Sequence, residues 1–243
     1  MKLVTIVIGT RPEAIKLAPV AKIFSISKLV KLRVILTGQH QEMVKKIMEL
    51  FGIPISEDLN VMEKGQSLSK LSSRILEGME REFDINKPSF VIVQGDTTTA
   101  FITSLAAFYQ KIKVAHVEAG LRTEDILNPF PEEANRRLIS QVACLHFAPT
   151  HKALENLIHT KVLGKICGVN ARWGSYLPDW HPWENYRSFY MAKKDQGGGA
   201  LYDECHGIDL MRYFFGEISE VSAFVGNTSK LKISRTWNSI SLC

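Results

Sequence analysis

The chain has 243 residues, 45% of them hydrophobic and 23% charged, a mix that excludes wholesale disorder and collagen-like repeats. Thirty Lys and Arg against 25 Asp and Glu leave a formal net charge of +5. No polybasic tract carries that excess, so nucleic acid is not an expected partner; nor is a membrane, since no run approaches the ~20 apolar residues of a span.

Over the first ~150 residues, short apolar runs alternate with helical patterns, which predicts an α/β domain with a parallel sheet. Leu3–Ile8 reads as a strand. The helix from Pro12 has Ile15, Leu17, Val20 and Ile23 as its apolar positions. Leu32–Leu36 is the second strand, and Gln41–Phe51 is a helix closed by Gly52. An amphipathic helix from Ser67 buries Leu68, Leu71, Ile75, Met79 and Phe83. Ser89–Val93 is a strand too apolar to face water on either side. Thr97–Tyr109 follows as a helix, Ile112–Val117 as a strand and Glu132–Ala143 as a helix, before a short strand His146–Ala148 and a helix Lys152–Ile158.

The texture changes after about residue 159, where the alternation stops and all four tryptophans (Trp173, Trp180, Trp183, Trp237) fall. One helix is expected over Ala200–Phe215, after Gly197-Gly198-Gly199 and before Gly216, with a strand over Glu220–Val225. The predicted organisation is a domain over 1–160 and a small α+β appendage over 161–243. One Lys ahead of Leu3–Ile8, then Gly9-Thr10-Arg11-Pro12-Glu13, does not make an export signal, whose apolar core runs ~7–15 residues. Cys144, Cys167, Cys205 and Cys243 lie far apart and read as buried or incidental thiols. Both observations predict a cytoplasmic protein.

Four strand ends carry groups that suit chemistry. Gly9-Thr10-Arg11-Pro12-Glu13-Ala14-Ile15-Lys16 follows a strand and opens a helix, where free N–H groups and the Arg11 fork suit an anion; an ordinary turn with solvated charges explains it equally well. In Gln94-Gly95-Asp96-Thr97-Thr98-Thr99, Asp96 stands where a helix cap would. Glu118, in His116-Val117-Glu118-Ala119-Gly120, comes one helix-plus-strand unit later, which puts both carboxylates at the same sheet edge as a candidate acid/base pair. Glu132 and Arg136 stand four apart on one helix face, the spacing of a plain surface ion pair. Gln39 and His40 sit in the loop Gly38-Gln39-His40-Gln41 at another strand end.

Taken in order, GTRPEAIK, GQH, QGDTTTA, SLAAFYQ, HVEAGLRT, PEEANR and HFAPT make residues 1 to about 158 resemble the N-terminal domain of the non-hydrolysing UDP-N-acetylglucosamine 2-epimerases. The resemblance implies a Rossmann-like domain, half of a two-domain glycosyltransferase-B-like fold with the active site in the cleft. It implies inversion of the sugar C2 by elimination of UDP to a 2-acetamidoglucal and re-addition, without a cofactor or a metal. UDP-N-acetylglucosamine is the implied substrate, polysaccharide biosynthesis the implied setting and a homodimer a possible assembly. Asp96, Glu118 and Glu132 match the family's acid/base carboxylates; Arg11, Lys16 and Arg136 match its charged cleft residues; Gln39 and His40 match its loop near the sugar. Which carboxylate removes the proton and which returns it stays open.

From about Gly174 the sequence departs from that family. SYLPDWHPWENYR and GGGALYDECHGIDLMRYFFGEISEV resemble part of the C-terminal domain of the Gfo/Idh/MocA oxidoreductases, with His206-Gly207-Ile208-Asp209 matching their His-x-x-Asp. Asp203 stands three residues before the histidine where that family has its acid at four. The dinucleotide fingerprint of these enzymes is missing. A zinc site from His181, Asp203, Cys205 and His206 has no familiar spacing. The chain therefore reads as an epimerase-like domain joined near 159–173 to an oxidoreductase-like fragment. With one wall of the cleft and no second nucleotide-binding domain, it is expected to bind UDP-N-acetylglucosamine weakly and to turn it over far more slowly than a complete family member. A non-catalytic nucleotide-sugar-binding module and an oxidoreductase remnant are the alternatives.

Overall fold

The computed structural model describes residues 1–38, 41–63, 65–172, 177–180, 182–196, 205–226 and 239–242. The chain divides into two compact units, Met1–Gly164 and Lys165–Cys243.

The first unit is an α/β fold built on β1 (Lys2–Ile8), α1 (Arg11–Ser25), β2 (Val30–Leu36), α2 (Gln41–Leu50), β3 (Glu57–Asp58), α3 (Leu68–Ile85), β4 (Phe90–Gln94), α4 (Thr98–Tyr109), β5 (Lys113–Val117), α5 (Glu132–Val142), β6 (Leu145–Phe147) and α6 (His151–His159). The six strands pair in parallel in the order β3-β2-β1-β4-β5-β6. That is the Rossmann order, with its topological switch between β1 and β4. Helices cover both faces, so the central strands are largely apolar: Ile6 and Ile8 pack with α1 and α2 residues, while Val7 joins the α3 and α4 side, and Thr5 and His116 are buried polar exceptions.

In α3 the expected positions Leu71, Ile75, Met79 and Phe83 are buried, each side chain stabilising the fold by roughly 1.5–3 kcal/mol. Leu68 is not; it lies in the first turn, 43% exposed, behind the Ser67 cap whose Oγ accepts from Lys70 N at 3.3 Å. The core face of α1 also differs from expectation. Ala14, Leu17, Ala18 and Ala21 are buried, while Ile15 and Ile23 are 51% and 65% exposed. Three alanines let the helix lie close to the sheet, and close approach turns the two bulky isoleucines outward. β3 was not foreseen, since its two residues are acidic and carry no apolar pattern. The cap of α4 is Thr97, whose Oγ1 accepts from Ala100 N at 3.1 Å; Asp96, expected there, is left to do something else. Cys144, Cys167 and Cys205 are exposed free thiols, not buried ones.

In the second unit the described elements are the helix Leu177–Trp180, short 3-10 turns at Tyr186–Ser188, Tyr190–Ala192 and Lys194–Gln196, the helix Cys205–Phe215, and antiparallel strands Ala223–Gly226 and Ser239–Leu242. The long helix ends at Gly216, at φ +94°, whose N–H donates to the Arg212 carbonyl at 2.8 Å. The glycine run 197–199 and residues 200–204 lie outside the described residues.

Candidate active site

Open α/β sheets present their loops at the carboxyl ends of the strands, and the switch between β1 and β4 leaves a crevice there. Here the turn 9–10 leaves β1, the turn 95–97 leaves β4, and Glu118 begins the loop after β5.

Two backbone N–H groups of the β1 turn are not open to an anion. Glu13, only 2% exposed, reaches back so that its Oε2 accepts from Gly9 N and Thr10 N at 2.5 and 2.7 Å. Its Oε1 accepts from Thr97 Oγ1 at 2.6 Å. Two free N–H groups at the helix start are thus taken by the protein itself, and Pro12 has none. Burial pushes the Glu13 carboxyl above the ordinary range, against the pull of these hydrogen bonds. Gly9 is needed for packing: a Cβ would stand 2.5 Å from Thr99 Oγ1 and 2.9 Å from Thr37 Oγ1, two hydroxyls already 3.1 Å apart. Arg11 lies exposed in the first turn of α1.

One turn further on, Lys16 crosses to the β5 loop. Its Nζ donates to Glu118 Oε1 and Oε2 at 2.7 and 2.6 Å, and the buried Gln94 donates its side-chain N–H to the same carboxylate. Glu118 holds a left-handed φ of +66°, a conformation that side chains adopt only when their surroundings fix it.

Asp96 ion-pairs with Arg136 of α5, and Asn135 Nδ2 donates to the Asp96 carbonyl at 2.8 Å. Partial burial raises the Asp96 carboxyl; the Arg136 guanidinium works against this, while the nearby Glu132 and Glu118 add to it. Arg136 therefore does not make the expected helix-surface pair with Glu132. It serves Asp96 on β4's turn and sits 3.5 Å from Glu133 Oε2. Glu133, fully buried, was not foreseen: it accepts from Arg137 Nε at 2.6 Å and from Thr123 N at 3.1 Å, tying the β5–α5 loop to the helix. Two adjacent glutamates opening a helix were the available signal, but nothing local said which one turns inward.

Five predicted residues thus meet at one edge. Lys16 with Glu118 and Arg136 with Asp96 form two ion pairs, and Glu132 is close enough to act on Asp96. Gln39 and His40 lie outside the described residues. Below the edge, His116 is fully buried, its Nε2–H donating to the Gly95 carbonyl at 2.7 Å; burial pushes its pKa down to about 4.

In the second unit, His206 and Asp209 share the helix Cys205–Phe215, and Asp209 lies 3.5 Å from Arg212. His181 and Asp203 lie outside the described residues. Among the described residues no three potential ligands gather to hold a metal, and no helix is long and apolar enough to cross a membrane.

Strand order and site together define an α/β domain of Rossmann type with ion-paired carboxylates at its switch-point edge. Residues 24–167 match the family profile described as UDP-N-acetylglucosamine 2-epimerase, and the chain belongs to that family. It is 54% identical over 158 residues to the UDP-N-acetylglucosamine 2-epimerase of Campylobacter jejuni, covering 65% of this chain and 41% of that protein. The Escherichia coli K12 enzyme of the same name is 49% identical over 162 residues, 67% of this chain and 43% of that one. Among solved structures, the UDP-GlcNAc 2-epimerase of Neisseria meningitidis bound to UDP-GlcNAc aligns with a TM-score of 0.63 and 46% identity, covering 66% of this chain and 44% of that chain. The chain thus spans about two-fifths of the curated relatives it matches. Residues 151–236 match a different profile, the GFO/IDH/MocA C-terminal domain.

Proposed function

We propose that residues 1–164 carry one wall of a UDP-N-acetylglucosamine 2-epimerase site, and that the chain interconverts the C2 epimers of this nucleotide sugar much more slowly than its full-length relatives. The observation that carries the reading is the pair of ion pairs, Lys16–Glu118 and Arg136–Asp96, facing one sheet edge in a domain 54% identical to a named epimerase over 158 residues.

Elimination of UDP requires a base for the C2 proton, an acid to return one on the other face, and cations near the departing phosphate. The two carboxylates live in unlike surroundings, which is how one protein separates proton-holding from proton-taking roles. Asp96 is desolvated and paired with one guanidinium, whereas Glu118 accepts from both Lys16 and Gln94. Glu132 supplies a third carboxylate beside Asp96. Arg11, exposed at the start of α1, and Lys16 are the cations within this unit for a phosphate. Gln39 and His40 are assigned to the sugar side of the cleft by resemblance alone.

Slow turnover is expected because holding two reactants together can be worth ~7–11 kcal/mol of barrier, and this chain matches only about two-fifths of its relatives' length. The cytoplasmic location and the homodimer belong to the same proposal.

The short span, 41–43% of the relatives, supports a second reading: a nucleotide-sugar-binding module without turnover. Product analysis after incubation with UDP-N-acetylglucosamine separates the two. Formation of the manno epimer supports the epimerase reading; saturable binding without product supports the module. Quenching or enhancement of NADH fluorescence on mixing would instead point to the residues matching the oxidoreductase profile.

A further inference from the structure

We propose that His116 is a positioning residue of this site: its Nε2–H holds the Gly95 carbonyl and so fixes the spacing between the segments that carry Asp96 and Glu118. The bond belongs to the fold, and its catalytic consequence rests on the epimerase reading.

His116 sits inside β5, paired in register with Val93 of β4 and His146 of β6, and no part of it reaches solvent. Its Nε2 lies 2.7 Å from the Gly95 carbonyl oxygen. The Gly95 N–H donates to the Val117 carbonyl at 3.0 Å, so both backbone groups of Gly95 are fastened to consecutive residues of β5. Asp96 follows Gly95 and Glu118 follows Val117. Glu118 stands at φ +66°, a left-handed state that a non-glycine residue keeps only when tertiary ties hold it, while Gly95 at φ +73° lets the β4 turn bend without strain. The two carboxylates are therefore set by a clamp three residues wide, with His116 as its side-chain arm.

The chemistry favours this role over simple filling of the core. His116 Nδ1 is buried without a hydrogen-bond partner. An unpaired polar atom in a central strand is a cost that Val or Leu would avoid, and the one bond the ring makes is the one to Gly95. A carbonyl accepts only, so the ring must carry its proton on Nε2. The charged and titratable groups acting on it are His146 of β6, Arg122 and Glu118 of the following loop, and burial keeps the imidazole neutral down to about pH 4.

The test is made on the whole chain. Nitrogen-15 NMR should show His116 protonated at Nε2 and bare at Nδ1 from pH 5 to 8; a ring protonated at Nδ1 would overturn the proposal. Carbon-13 titration of the Asp96 carboxyl then reads the clamp without any need for turnover. In His116→Leu the turn should loosen and admit water, so the Asp96 midpoint falls towards that of an exposed aspartate. His116→Gln, whose amide N–H reaches the same carbonyl, should restore the wild-type midpoint. An unchanged Asp96 titration in a folded His116→Leu protein would contradict the positioning role. Should His116→Leu not fold, the tautomer and the Gln variant decide: loss of the raised Asp96 midpoint in a folded His116→Gln protein overturns the proposal. Deuterium exchange at C2 of UDP-N-acetylglucosamine should be lost in the Leu variant and largely restored in the Gln variant. Absence of exchange in the wild type would count against the epimerase reading and leave the His116–Gly95 bond to the NMR tests.

Discussion

Lys16 and Glu118 are 102 residues apart in the chain, yet the Lys16 ammonium contacts both Glu118 carboxylate oxygens, at 2.6 and 2.7 Å. The contact joins α1, which leaves the first strand, to the loop after the fifth. The side chains are 47% and 24% exposed, so as a stabilising pair it contributes little, below about 1 kcal/mol. Lys16→Met should therefore melt close to the wild type while losing most of whatever epimerisation the chain shows. A large drop in melting temperature, with activity kept, would reverse that assignment.

Asp96 offers a cleaner separation of stability from function. Thr97 caps α4, so Asp96→Asn leaves the cap intact and should cost less than about 2 kcal/mol, the loss of one charge-assisted hydrogen bond. The amide cannot take up a proton, and exchange at C2 should stop. Glu118→Gln should behave alike. Thr97→Ala provides the contrast, since it removes the cap and the hydroxyl bound to Glu13; it should destabilise by about 1–2 kcal/mol in urea titrations.

Gly120 fixes the loop after Glu118 against α6. It stands at φ +88°, and a Cβ there would lie 2.1 Å from the Ala153 carbonyl oxygen and 3.0 Å from Leu157 Cγ. Asn156 Nδ2 also donates to the Gly120 carbonyl at 2.9 Å. Gly120→Ala should destabilise the first unit by roughly 4 kcal/mol or more, because backbone has to move. Gly65→Ala is the control: φ is +75°, but nothing lies within 4 Å of the added carbon. Its cost should be only the ~1–2 kcal/mol of left-handed strain. Equal effects in equilibrium unfolding would show that the α6 contact is looser than described.

Acid should act on the fold through His116. Its pKa falls from an ordinary 6.5 to about 4 on folding, chiefly through burial. Between those values the unfolded chain binds a proton that the folded chain does not, so stability falls as pH drops from about 6.5 to about 4 and levels off below. The full effect is about 3 kcal/mol. The raised Asp96 carboxyl has the opposite sign, favouring the folded state as pH falls through its own range. Comparing wild type with His116→Gln in urea at pH 7, 5.5 and 4.5 isolates the histidine: the difference should shift against the wild type at each step down. A pH-independent difference would mean His116 is not buried neutral.

Much of the first unit was legible from sequence because its central strands are buried on both faces and read as largely apolar runs, with Gly9 and Gly95 following β1 and β4 and Gly52 closing α2. The edge position of Asp96 and Glu118 followed from one helix-plus-strand repeat. What sequence did not show was phase and partner. In α1 the buried face is marked by alanines, which carry a weaker apolar signal than Ile15 and Ile23. Asp96 and Thr97 are adjacent and both suit a cap, so only the structure decides between them. Arg136 has Glu132 and Glu133 as local partners, and its tie to Asp96 spans 40 residues. Glu13 and Glu133 read as ordinary first-turn acids; their burial depends on backbone N–H groups that the fold brings to them. Beyond residue 164, the described elements are short, and pattern reading recovered only the helix ending at Phe215 and an approximate strand.

The most direct measurement is deuterium incorporation at C2 of UDP-N-acetylglucosamine, followed by NMR in heavy water with the purified chain beside the full-length Campylobacter jejuni relative. The half-wall account predicts incorporation by this chain that is many-fold slower than by the relative, accompanied by the manno epimer and abolished by Asp96→Asn. Incorporation at the relative's rate, or incorporation that survives in a folded Asp96→Asn protein, would contradict it.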